Sequence, residues 1–373
     1  MSRVELQPLV IGERTAKKPI VLGGMSVGIS NGVLAGTVAK EGGVGTIGGV
    51  GLGFRRKDLE VGLLPKNLHG LTDEIRIAKE IAPDGIVGVN LLRAITHYSE
   101  HVMAALEAGA DFIVTGAGLP LDLPELARDY PDVALIPIVS TAKGAIIITK
   151  YWIRYHGRKP DAIVIEEPAT AGGHLGISST QTINDVNNAD LLLKNSIPAT
   201  KEWLEDHGYD IPIIAAGGMW DISDIKSMQD LGARGFQMGT RFVCTEESGA
   251  SEEFMQSYLD AEQGDIVYTA SPVGYPGRVV ETDFSRYVNS DARNDPDNIK
   301  EEKKNYRCPA RCLEVCSYRE SRGARDYCII QALHNAKNGD VDHGIVFAGT
   351  NAYRAKEQGI VPARKIIEEL ATG

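Results

Sequence analysis

Eight short apolar runs follow one another through the first two thirds of the chain, each ending in glycine or small polar residues. They are PIVLGGM (19–25), GVGTIGG (43–49), IVGVNLL (86–92), FIVTGAG (112–118), LIPIVS (135–140), AIVIEEP (162–168), IPIIAAGG (211–218) and GFQMGTRF (235–242). Unbroken hydrophobicity with β-branched residues marks strands covered on both faces, as in a parallel sheet. Helix-like segments such as TDEIRIAKEIA (72–82) and YSEHVMAALEAG (98–109) separate them, and Gly42, Gly109, Gly157 and Gly208 stand where helices stop. Eight strands alternating with helices predict an α/β fold, a (β/α)8 TIM barrel. A doubly wound sheet is the rival, since GVGTIG (43–48) matches the dinucleotide fingerprint by letter. That fingerprint must follow a strand and open a helix, whereas here a helix precedes it and GVGLGFRR follows, so the match is accidental.

Beyond Phe242 the alternation stops. TEESGASEEFMQSYLDAEQ (245–263) reads as an acidic helix, SPVGYPGR (271–278) as a turn-rich loop, and NSDARNDPDNIKEEKKNYR (289–307) as a very polar run. A barrel needs about 250 residues. The expected division is therefore a barrel of residues 1–245 and 331–373, with 246–330 inserted as a cap between strand eight and the C-terminal helix. The tail GIVFAGTNAYRAKEQGIVPARKIIEEL is expected to cross the barrel mouth before returning as that helix, bringing Asn351 and Tyr353 to the substrate side, unless Tyr353 only packs under the last helix.

Charge and composition narrow the function. A net charge of −11 excludes a general nucleic-acid binder. No apolar run is long enough to span a bilayer, and the N-terminus is no signal peptide, so a cytoplasmic protein is expected, without membrane partners and acting on a small molecule, alone or as a homodimer. Five cysteines in such a chain are expected to be reduced: Cys244, Cys308, Cys312, Cys316 and Cys328. If helical, the segment carrying Cys308, Cys312 and Cys316 would align three thiols on one face. The spacing does not match familiar metal or iron–sulfur patterns, so packing or free thiols are expected there and no metal is assigned.

Active sites of such barrels lie at the C-terminal ends of the strands. Strands seven and eight end in AAGG and MGTR, small and glycine-rich where these barrels bind phosphate through backbone N–H groups. After strand six comes EEPATAGGHLG (166–176), in which Gly172 and Gly173 allow close approach to a flat ring and His174 faces the mouth as the catalytic candidate.

Taken in order, PIVLGGMSVGIS, GVNLL, TGAGLP, AGGHLG, AAGGM, FQMGTRF and SPVGYPGR resemble the nitronate monooxygenases, formerly 2-nitropropane dioxygenases, whose superfamily includes the flavin-dependent enoyl-ACP reductases. DHGIVFAGTNAYR resembles the tail of a bacterial subgroup, so the likeness covers nearly the whole chain. It implies an FMN-dependent oxidoreductase. Gly23, Gly24 and Met25 would lie beside the flavin, Asn90 and Ser140 near its ring edge, and Glu167 by the ribityl chain or ring. Gly217, Gly218, Gly239 and Thr240 would hold the phosphate, and Thr115, Ala171, Gly172, Gly173, Ala216 and Met238 complete the implied cofactor set. His174 occupies the position of the catalytic histidine. Leu22 stands where many members carry glutamine, Ser26 replaces a common glycine, and Lys143 reads as a solvated helix-opening residue. The resemblance leaves two reactions: oxidation of alkyl nitronates with O2 to a carbonyl compound and nitrite, or NAD(P)H-dependent reduction of an enoyl thioester or quinone.

Overall fold

A computed structural model of the protein describes residues 6–54, 62–176, 183–308, 310–323 and 326–372. Eight parallel strands close into a barrel: Ile20–Leu22, Val44–Gly48, Ile86–Leu92, Phe112–Gly116, Ala134–Val139, Ile163–Glu166, Ile213–Ala216 and Gly235–Met238. Each falls on one of the eight predicted runs, and only Ala134 lies outside, one residue ahead of its run. The fold is the expected TIM barrel, and the fingerprint-like GVGTIG supplies its second strand rather than a nucleotide loop.

Alternation along the strands separates two apolar layers. Val21, Val44, Phe112, Val114, Val164 and Ile214 point inward and pack together, joined at the lower end by Leu9 and Ile11. Those two come from a small hairpin, Leu9–Ile11 with Arg14–Ala16, which plugs the bottom of the barrel. The other strand residues, Ile47, Val89 and Ile165 among them, face the surrounding helices. All four predicted helix-stop glycines adopt positive φ. Two predicted helices differ in length. The second barrel helix runs Leu63–Ile81, and the acidic helix covers only Glu252–Asp260 because Ser251 caps it by accepting from the Phe254 N–H at 3.2 Å.

Past strand eight the chain forms a short helix, Thr240–Val243, and then leaves the barrel pattern. Ile266–Thr269 and Gly277–Val280 pair antiparallel, and Gly277–Val280 also pairs with Gly173–His174 from the loop after strand six. The tail runs along the same sheet, with Val279 bridging Phe347, before helix Ala363–Thr372 packs on the first barrel helix, Gly32–Lys40. Cys308, Cys312 and Cys316 do not share a helical face. Helix Pro296–Asn305 ends before them and the next helix, Ser317–Glu320, starts after them.

Candidate active site

A cavity of about 730 Å³ opens at the C-terminal ends of the strands. That volume is in the range of sites for cofactors and drug-sized ligands. Its floor is made where inward positions reach the top of the barrel. Gly23, Asn90, Ser140, Glu166, Ala216 and Gln237 all face it.

Small residues keep this floor open. A Cβ on Gly24 would lie 2.3 Å from Asn90 Cβ. Gly217 and Gly218 have φ of +104° and +68°, and a Cβ on either would come within 2.9 Å of the Thr170 side chain. With Gly239 and Thr240 at the end of strand eight, they leave a backbone-lined corner that suits an anionic group. Asn351 ties the tail to this corner by donating to Gly218 O at 2.7 Å, and Gly349 N donates to Thr240 Oγ1 at 2.9 Å.

The loop after strand six is held from three sides. Arg278, 2% exposed, donates to the carbonyl oxygens of Pro168 (3.2 Å), Ala169 (2.9 Å) and Ala171, and to the Tyr268 hydroxyl (2.9 Å). Its guanidinium also stacks over the Tyr268 ring at 4.8 Å. Glu167 fastens the loop from below, accepting from Thr170 Oγ1 at 2.8 Å and from Leu193 N at 3.1 Å. The tail seals the outer side, where Thr350 N donates to Thr170 O at 3.1 Å. Sequence reasoning missed Arg278, although SPVGYPGR contains it, because nothing local shows that three carbonyls converge on its side chain.

His174 is carried into the cavity by its pairing with Gly277. Its Nε2 is 2.7 Å from Ser271 Oγ, and the ring meets Phe347 edge-on at 4.9 Å between centroids. Burial lowers its pKa to about 4, so the imidazole is neutral at pH 7. No hydrogen-bond partner for Nδ1 occurs among the described residues.

Three expected site residues lie elsewhere. Thr115 is fully buried on the helix side of its strand, 3.1 Å from the Tyr98 hydroxyl. Glu167 points outward into the loop contacts above, and its neighbour Glu166 faces the cavity instead. Tyr353 sits on the short turn Ala352–Arg354 and packs with the second core around Phe254, outside the cavity lining. The remaining expected positions, including Met25, Ala171, Gly172, Gly173, Met238 and Asn351, line the cavity. So does Ser26, whereas Leu22 is buried among the helices and Lys143 is exposed.

Glu166 has no hydrogen-bond or ion-pair partner among the described residues, and burial raises its pKa to about 7. Its folded pKa exceeds the ordinary 4.5, so ionisation penalises the folded state progressively as pH rises from about 4.5 to about 7. Flavin-free Glu166→Gln protein is therefore expected to match the parent near pH 4.5. It should exceed the parent by on the order of 3 kcal/mol at pH 8, as read by urea unfolding at both values. Equal stability differences at the two pH values would show that Glu166 titrates normally.

Comparison with known proteins agrees with this architecture. The model of the nitronate monooxygenase family matches residues 8–373. A probable nitronate monooxygenase of Staphylococcus saprophyticus is 24% identical over 306 residues, covering 77% of this chain and 82% of that protein. FabK from Thermotoga maritima superposes with a TM-score of 0.68 at 23% identity, covering 94% of this chain and 91% of that one. The enoyl reductase domain of MlnA from Bacillus amyloliquefaciens gives 0.67 at 17% identity, covering 95% and 93%. The likeness to the two solved structures shows the barrel. The family match shows more: with its cavity at the strand ends and its glycine-lined corner, the chain belongs to the nitronate monooxygenase family and is a flavin-dependent oxidoreductase.

Proposed function

We propose that the protein binds FMN and oxidises alkyl nitronates with O2, giving a carbonyl compound and nitrite. The observation that carries this reading is His174, a neutral imidazole in the wall of a largely apolar cavity, whose Nδ1 has no partner among the described residues. The backbone of Gly217, Gly218, Gly239 and Thr240 would hold the phosphate. Glu166 and Asn90, facing the floor, would bind ribityl hydroxyls or ring-edge groups, and Gly23 and Gly24 leave room for the ring. The flavin supplies the redox chemistry when bound.

The protein's own part is orientation and proton handling. Nε2 of His174 pairs with Ser271 Oγ, so Nδ1 is left to take the α-proton of a neutral nitroalkane or to meet the nitro oxygens of its anion. Phe347 holds the ring upright, and the tail with strand Gly277–Val280 covers the loop that presents it. The expected inserted segment, 246–330, would then act as a cap that excludes water and sets substrate size.

His174→Asn should lower turnover of neutral nitroalkanes by about 100-fold or more, and of preformed nitronates much less, because only the former need a proton removed. Steady-state oxygen consumption with each form of nitroethane measures both. Equal losses on the two would remove His174 from the role of base.

The likeness to an enoyl reductase domain supports a second reading, NAD(P)H-dependent reduction of an enoyl thioester or quinone. Anaerobic mixing with NADH or NADPH separates the two. Rapid bleaching of the flavin would favour the reductase, and indifference to both nucleotides favours nitronate oxidation.

A further inference from the structure

Four of the five cysteines gather beside the cavity, although they come from different segments. Cys308, Cys312 and Cys316 lie on the irregular stretch between helices Pro296–Asn305 and Ser317–Glu320, and Cys328 is the N-cap of helix Ile329–Lys337. Cys312 is within electrostatic reach of the other three, and Cys328 and Cys316 are each within reach of Cys308. None of the four is in a disulfide.

The stretch is fastened to the barrel. Thr96 N donates to Cys312 O at 3.1 Å, Glu314 N donates to Ala94 O at 3.0 Å, and Leu313 bridges Ile95. Arg319 braces it by donating to Leu313 O at 2.8 Å and Glu314 O at 2.6 Å. As a result Cys312 lies on the wall of the cavity that holds His174.

Hydrogen-bond donors converge on two of the sulfurs. Backbone N–H groups of Tyr318 and Arg319 face Cys316 Sγ, those of Ile330 and Gln331 face Cys328 Sγ, and the Arg319 charge acts on Cys316. The N-terminal dipole of helix Ile329–Lys337 adds to this at Cys328. Four neighbouring sulfurs from two segments, with backbone donors aimed at two of them, form a ligand set for a cationic centre.

The nature of that centre follows from spacing. Among the described residues no three His, Cys, Asp or Glu side chains converge closely enough to hold a single ion. A tetrahedral zinc with bonds of about 2.3 Å would need its sulfurs within about 4 Å of one another. A polynuclear cluster places each thiolate on a different iron and spreads them farther apart, with N–H donors to the sulfurs setting its potential. We propose that Cys308, Cys312, Cys316 and Cys328 bind a four-iron, four-sulfide cluster on the wall of the flavin cavity.

The test uses the full chain, expressed and purified without oxygen and reconstituted with ferrous iron and sulfide. Roughly four iron and four sulfide per chain are expected. Dithionite should bleach the broad visible absorbance and produce a low-temperature paramagnetic resonance signal distinct from that of the flavin. Cys316→Ser and Cys308→Ser, neither on the cavity wall, should each lower the iron content at least several-fold at unchanged flavin content. Cys244→Ser, buried elsewhere with its thiol 3.8 Å from Met255 O, should retain full iron. A folded parent protein that takes up no iron and sulfide overturns the proposal, as does one zinc per chain or a disulfide among the four that blocks loading. Flavin is extracted and counted separately, so an iron-loaded chain lacking flavin would leave the cluster standing and remove the FMN reading alone.

Discussion

An Arg278→Ala variant should unfold about 3 kcal/mol or more easier than the parent and should be isolated with little flavin. The side chain is almost wholly buried, and its guanidinium satisfies carbonyl oxygens of Pro168, Ala169 and Ala171 at once. Deleting it leaves three buried acceptors without a donor, each costing about 1–3 kcal/mol, less whatever water enters to replace it. The loop released by that loss presents Gly172, Gly173 and His174 to the cavity, so stability and flavin binding should fall together. Arg278→Lys should rescue little. A single ammonium cannot reproduce a planar fork that serves several carbonyls while stacking on Tyr268. Thermal unfolding with extracted flavin per chain checks both effects, and a Lys variant that restores full flavin would show that charge alone suffices.

The sequence made some of this arrangement legible and concealed the rest for physical reasons. A strand buried on both faces must be apolar throughout, so the eight runs stood out, and with them the end of the barrel where small residues accumulate. The choice between adjacent carboxylates depended on a single step of register. Ala162 and Val164 point into the barrel, so two-residue periodicity carries Glu166 inward and Glu167 outward. The same alternation along Phe112 and Val114 sends Thr115 to the helices, and counting it would have avoided both misplacements. Tyr353 differs, because the short turn at Ala352–Arg354 rotates it away from the cavity that Asn351 lines. Four-residue spacing of the cysteines suggested a helical face, but pairing with Ala94–Thr96 draws that segment into an extended path. Contacts between segments far apart in sequence, such as Arg278 with the loop after strand six, have no local signature at all.

The two adjacent glycines of that loop should respond very differently to the same added methyl group. Gly172 passes directly under the tail, and a Cβ there would lie 2.5 Å from Gly349 N and 2.6 Å from Ala348 C. Those are backbone atoms, fixed by the Ala348 N donation to Arg278 O at 3.0 Å and the Gly349 N donation to Thr240 Oγ1, so neither can turn aside as a side chain would. Gly172→Ala must push the tail off the loop. It should cost about 3 kcal/mol or more, at the upper end of overpacking, and release flavin by opening the corner at Thr240 and Gly218. Gly173 has a φ of +75° and nothing within 4 Å of a built Cβ, so alanine there meets only the left-handed backbone penalty of about 1–2 kcal/mol. Gly173→Ala should therefore keep most of its flavin while shifting the neighbouring His174. Urea unfolding and flavin content of the two variants, measured side by side, test the contrast. If the two lose stability equally, the tail yields freely at Gly349 and does not hold the loop in place.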